Sequence, residues 1–171
     1  MTSPPSADRE DAFDAVIAAA DSPVWVITTV AGGRRAGCLV GFATQVSIVP
    51  RRFLVALSKN NHTREIADGA TYLAVHLLTD EHFAVARLFA TTSGDRIDKF
   101  TRCAWWTGPH ELPILSAATG WFAASIVERL DLGDHLGLVL EPVSGSGPPE
   151  PDTVTALRFR AVADLPPGHE A

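Results

Sequence analysis

Late in the chain, the stretch GWFAASIVERLDLGDHLGLVLEPV sets two long apolar runs around a short polar turn at residues 132–134. Strands joined so closely pair antiparallel, because a parallel partner needs a crossover of about a dozen residues or more. The remaining strand candidates keep to the same short connections. VWVITTV is β-branched and aromatic, AGG is a turn, and RRAGCLVGFATQVSIV continues in short apolar pieces as far as Pro50. RRFLVALS and TYLAVHLL flank HTREIADG, a short helical stretch that ends on Gly69. Two further helices are expected. In EDAFDAVIAAAD, Phe13, Val16, Ile17 and Ala20 recur at helical spacing before Pro23, and in DEHFAVARLFA, Phe83, Ala86, Leu88 and Phe89 fall on or near one face. Roughly five or six strands with short helices between them, and no regular βαβ alternation, predict a mainly antiparallel barrel rather than a doubly wound sheet.

The length of 171 residues suits one domain, expected over residues 11–143, with a tail at 1–10 and a Pro/Gly-rich segment at 144–171 read as mobile ends. No apolar run approaches the ~20 residues of a membrane span. The opening MTSPPSADREDAFD lacks the basic and apolar regions of an export signal, so cytoplasm is the expected compartment and Cys38 and Cys103 are expected as reduced, buried thiols. A net charge of −6, without a large basic cluster, argues against nucleic acid and anionic membranes as partners.

Four places could carry chemistry. The run Ser58, Lys59, Asn60, Asn61, His62, Thr63 offers hydroxyls, amides and an ammonium at a helix start, which suits an anion such as phosphate; equally, Asn61 or a neighbour simply caps the helix. GFATQVS supplies Gly41 for close backbone approach and Thr44, Gln45 and Ser47 for hydrogen bonds to the edge of a flat heteroaromatic ring, or is a strand with a polar outer face. SGDRIDKFTRCAWW mixes charge with aromatic surface and either covers a planar ligand or tucks its rings into the core. His135 beside Asp134 could handle a proton or orient a substrate, or be structural. Metal-site spacings, the G-x-S-x-G elbow, the P-loop and the dinucleotide fingerprint are all missing, so no metal is expected.

Read in order, PVWVITT, Gly37 leading through TQVSIVP into FLVALSKNNHT, the helix FAVARLFA, DKF, a Trp-bearing segment with ELPIL, and GDHLGLVLEP resemble the flavin reductase-like family of FMN-binding split-barrel proteins over residues 13–143. The resemblance implies an antiparallel Greek-key split β-barrel with short flanking helices. It also implies a homodimer whose second subunit helps close a flavin groove. Val40, Gly41, Phe42, Ala43, Thr44 and Gln45 would then lie along the isoalloxazine and ribityl group. Ser58, Lys59, Asn60, Asn61, His62 and Thr63 would hold the ribityl phosphate, and Phe89, Lys99 and Phe100 would complete the pocket. His135 would stand near the ring where nicotinamide stacks. The activity implied is hydride transfer from NAD(P)H to FMN or FAD, with reduced flavin passed to a monooxygenase.

The chain departs from that pattern at Leu39, Gly41 and Phe42, where such reductases carry a Thr and an Asn-Ser pair, and at Pro50-Arg51 in place of Pro-Pro. Backbone groups, Thr44 and Gln45 must therefore do more of the hydrogen bonding, and Phe42 narrows or reshapes the site. An FMN carrier or electron-transfer protein without turnover, and a split barrel for another planar ligand such as haem or a deazaflavin, stay open on the sequence.

Overall fold

The protein is described by a computed structural model covering residues 9–94 and 96–168. Helix α1 (Arg9–Ala20) leads into β1 (Trp25–Ala31), β2 (Arg34–Val40), β3 (Ala43–Ser47) and β4 (Arg52–Ser58). After α2 (His62–Asp68) come β5 (Tyr72–Leu77), α3 (Phe83–Thr91) and the short pair β6 (Trp105–Thr107) and β7 (Pro113–Leu115). The chain closes with β8 (Gly120–Asp131), β9 (His135–Ser146) and the single-turn α4 (Phe159–Val162). Short strands β3, β6 and β7 raise the count above the five or six expected, because pieces this brief leave little periodicity to read.

Seven strands form one antiparallel sheet in the order β2-β1-β5-β8-β9-β4-β3. Its edges, β2 and β3, share no ladder, so the barrel is split rather than closed. Helix α2 packs against β1, β2 and β4 and plugs that opening, while carrying the chain from β4 to the distant β5 in a Greek-key return. Two turns explain the tight hairpins. Gly32 and Gly33 both take positive φ (54° and 74°) between β1 and β2, the requirement of a type I′ turn, and Gly133 (φ 98°) turns β8 into β9 at the expected residues.

Ile27, Val55, Leu73, Val75, Leu138 and Leu140 fill the barrel, where Phe53 stands edge-on between Trp25 and Phe122 at 5.4 and 5.3 Å. Alternate residues of β1 face the other way. Val26 joins Leu78, Ala86, Phe89, Phe100, Leu157 and Val162 in a second core under α3. A strand buried on both faces reads as a β-branched and aromatic run, as VWVITTV does, and its two buried threonines are satisfied because their hydroxyls donate to the Pro113 and Tyr72 carbonyls.

Two expectations about the ends need correcting. Residues 1–8 of the expected tail lie outside the described residues, and Arg9 and Glu10 already belong to α1. Beyond Val143, β9 continues to Ser146, and the Pro/Gly-rich segment then folds back: Val24 N–H donates to Leu157 O and Leu157 N–H to Leu78 O, both near 2.9 Å. Leu157 is fully buried, so apolar anchoring outweighs the segment's loop-like composition. The opposite holds for α1, whose Phe13, Val16 and Ile17 remain exposed. Among the described residues no helix is long and apolar enough to cross a membrane.

Candidate flavin site

Where β2 leaves the sheet, Gly41 and Phe42 cross over to β3, and on the facing side the β8–β9 turn presents Asp134 and His135. Two spaces meet at this point. A broad groove of about 1250 Å³ is lined by Trp25, Phe53 and Phe122 from the barrel, Phe13 and Ile17 from α1, and Gly41, Phe42, Ala43, Thr44 and Gln45. A smaller cavity of about 270 Å³ is lined by Cys38, Leu39, Val40, Ser58, Asn60 and Asn61. Gly41, Phe42, Ala56, Asp134, His135 and Phe159 border both. A mostly apolar groove that leads into a smaller recess with a few polar side chains, here Ser58, Asn60, Asn61, Asp134 and His135, is the usual form of a small-molecule site and suits a ligand with a flat ring and a polar end.

The recess is built on the capped start of α2. Asn61 Oδ1 accepts the Thr63 N–H at 2.8 Å, so the capping reading of this run holds, and Thr63 is buried behind it. Lys59 is held at the rim, where its Nζ donates to Asp131 Oδ1 at 2.8 Å. That hydrogen bond, with the Gly133 N–H and the Lys59 charge, draws the Asp131 carboxyl below its usual range. Beneath the recess, burial pushes the Cys38 thiol up, against the opposing pull of Lys99, Thr63 and Asn61. Burial likewise lowers the Lys99 ammonium, whose Nζ donates to the Gly37 carbonyl at 2.7 Å.

At the junction, His135 Nδ1 lies 2.7 Å from Asp134 Oδ1. The hydrogen bond to His135, then its charge, lowers the Asp134 carboxyl and keeps it ionised, so Nδ1 is the donor and Nε2 is the nitrogen left for a ligand. The Phe42 ring stands 5.1 Å from the imidazole, tilted by 57°. The backbone at Gly41 is closed in by Phe159: a Cβ built on Gly41 would come within 3.3 Å of Phe159 Cδ2.

The structure thus brings Val40–Gln45, Ser58, Asn60, Asn61 and His135 to one place. It does not bring the rest to the surface of the site. Lys59, His62 and Thr63 line neither space, and Phe89, Lys99 and Phe100, expected to complete the pocket, are buried in or beside the second core. Lys99 turns inward because the Phe89 ring, 5.4 Å away, and the Gly37 carbonyl receive its ammonium. Phe159, Trp25 and Phe13 border the groove without having been expected there. The alternation of apolar and polar residues in VTALRFRAV was the available sign that the last segment packs.

Comparison with known proteins gives the arrangement its relatives. Over 96% of its length the chain is 29% identical to the FMN reductase (NADH) RutF of Ancylobacter novellus, covering 91% of that protein. It is 27% identical, over 66% of its length, to the reductase component of a flavin-dependent trigonelline monooxygenase of Acinetobacter baylyi, but spans only 37% of that relative. The fold superimposes on an NADH:FAD oxidoreductase of Streptomyces globisporus with a TM-score of 0.75 at 21% identity, covering 91% of each chain. Residues 18–163 match the model of the flavin reductase like domain, a span running from within α1 through the whole sheet to the anchored last segment. With residues 18–163 matched, a span that holds every strand of the split barrel, the chain belongs to the flavin reductase-like domain family.

Proposed function

We propose that the protein is an NAD(P)H:flavin reductase that takes FMN or FAD into the joined groove and recess. The observation that carries this reading is the meeting, at Gly41, Phe42 and His135, of a broad apolar groove with a smaller recess that presents Ser58, Asn60 and Asn61. The residues fit the group. Gly41 offers backbone without a side chain beside the Phe159 ring, and Ser58, Asn60 and Asn61 supply neutral hydrogen-bonding groups suited to a phosphate, with the Asp134 carboxylate at the far border of the recess beside His135. Lys59 adds charge from the rim.

Bound flavin supplies a two-electron acceptor for hydride from reduced nicotinamide. The chain's own part is alignment. Backbone groups at Gly41–Gln45, with the Thr44 and Gln45 side chains, would hydrogen-bond the ring edge, and the Nε2 of His135, whose ring is held by Asp134, would orient the nicotinamide or hold a proton. Trp25, Phe53 and Phe122 give the groove an apolar wall that excludes water.

A homodimer belongs to the same reading, supported by the exposed Phe13, Val16 and Ile17 of α1 beside the groove and by Ile48 and Val49, 76% and 90% exposed, after β3. So does a monooxygenase as recipient of reduced flavin, by analogy with the reductase component named above. A cytoplasmic setting agrees with two free cysteines.

The test is flavin titration of the purified protein together with NADH and NADPH oxidation in the presence of FMN and FAD. Tight flavin binding with turnover supports the proposal; no binding overturns it. A carrier without turnover is the second reading, favoured by the Phe42 ring beside His135, which crowds the place where nicotinamide would stack. Binding with oxidation at the no-enzyme rate selects the carrier.

A further inference from the structure

The last segment reaches the site through one aromatic side chain. Phe159 borders both the groove and the recess, its ring edge lies against the Gly41 backbone, and it is 48% exposed. Anchoring of the segment does not need it, because Leu157 and Val162 are already buried in the second core. A half-exposed phenyl ring at the head of α4 would ordinarily be free to swing into solvent.

The backbone that carries this ring is tied down at Phe159 and at both neighbours. Phe159 N–H donates to Ser22 O at 2.9 Å. Its neighbours are both tied to Asp21: Arg158 Nη1 donates to the Asp21 carbonyl and Arg160 N–H to Asp21 Oδ1, each at 2.8 Å. Asp21 holds a left-handed backbone (φ 48°), a conformation that aspartate tolerates better than most residues but that still needs support from its surroundings. Strained backbone and three hydrogen bonds therefore converge on the placement of a ring that faces the site.

We propose that Phe159 is a ring-contact residue of the flavin site, with Asp21 as its positioning residue. The inference rests on the flavin reading above. Phe159 offers no polar group, so its contribution falls on the planar ring that every flavin shares and is blind to the phosphate. Affinity for riboflavin and FMN should then depend on it equally, in contrast to the polar residues of the recess.

The test uses the full chain and flavin fluorescence quenching, titrating riboflavin and FMN into the wild type, Phe159→Ala, Phe159→Trp, Asp21→Ala and Asp21→Asn, with thermal unfolding as a check on folding. Phe159→Ala should raise Kd for both flavins by about tenfold, while Phe159→Trp stays within about threefold of the wild type. Asp21→Ala should raise both by about threefold or more, and Asp21→Asn should restore them, because the amide oxygen still accepts the Arg160 N–H. Wild-type affinities for both flavins in Phe159→Ala would overturn the proposal, and so would a loss confined to FMN, which would place Phe159 at the phosphate. Should Phe159→Ala lose its cooperative unfolding, the Asp21 pair decides, and identical Kd values for Asp21→Ala and the wild type reject the proposal. A wild type that binds neither flavin rejects the flavin reading itself, and this inference with it.

Discussion

His76 Nε2 accepts the Leu115 N–H at 3.2 Å, joining the centre of the barrel sheet to the short β6–β7 pair. An amide can only donate, so Nε2 carries no proton, and Nδ1–H donates to the Val26 carbonyl at 3.0 Å. Burial lowers this histidine to about 4 from 6.5, because a proton on Nε2 would face the Leu115 N–H in a dry interior. The folded pKa lies below the unfolded one. The unfolded chain therefore binds the extra proton first, and stability is fully present above pH 6.5 and falls as pH drops toward 4. The loss should approach about 3 kcal/mol, measured by urea unfolding at several pH values. His76→Leu should cost about 2–4 kcal/mol at neutral pH by orphaning the Leu115 amide, and should flatten that pH dependence. An unchanged slope in the variant would mean that another group is responsible.

Lys99 is 5% exposed, and the Gly37 carbonyl and Phe89 ring take up its ammonium. Lys99→Ala should cost about 2–4 kcal/mol through the cavity it leaves, whereas Lys99→Met keeps the volume without a buried charge and should stay within about 1 kcal/mol of the wild type. Burial lowers the folded pKa, so the penalty of charging Lys99 applies at neutral pH and is relieved as pH rises toward 10.5. The wild type should thus gain on Lys99→Met in alkaline chemical denaturation. A parallel pH course for the two proteins would show that Lys99 has an ordinary pKa.

At the recess, Asn61→Ala removes both the cap on Thr63 and a polar lining group. It should cost about 1 kcal/mol in stability and weaken FMN more than riboflavin. Lys59→Ala should show the same selectivity, and Asp131→Ala, which removes the acceptor that holds the Lys59 ammonium, should tighten FMN alone. Equal effects on the two flavins in fluorescence titrations would remove the phosphate from this end of the site.

The exposed apolar face of α1 predicts the assembly. Ile17→Glu, at a residue 49% exposed, should leave secondary structure intact and shift the protein from dimer to monomer in sedimentation velocity. A wild type that sediments as a monomer at micromolar concentration would rule out the dimer.

Much of this architecture could be read from residues alone where local chemistry decides it. Gly133 and the Gly32-Gly33 pair set their turns through positive φ, and Asn61 caps α2 by a hydrogen bond two residues away. What escaped was decided over long distances. Whether Lys99 points into the recess or beneath it depends on Gly37 and Phe89, sixty-two and ten positions earlier. Whether the last segment is loose depends on Val24 and Leu78 offering Leu157 a place to pack. Composition reports the cost of ordering a Pro/Gly-rich stretch but is silent on the distant surface that offsets it.

The order in which the chain emerges has a consequence for when this site can exist. Gly41 and Phe42 come early, but the sheet neighbour that seals β4 is β9, and the ring that closes over Gly41 arrives only with residue 159. A nascent chain halted before β9 holds half a groove, with β4 still lacking one partner and the recess lacking the His135 wall, and one halted after β9 still lacks the Phe159 ring. Closure of such distant contacts comes late and as a unit, so ligand capture during synthesis is deferred until the chain has been released through residue 159.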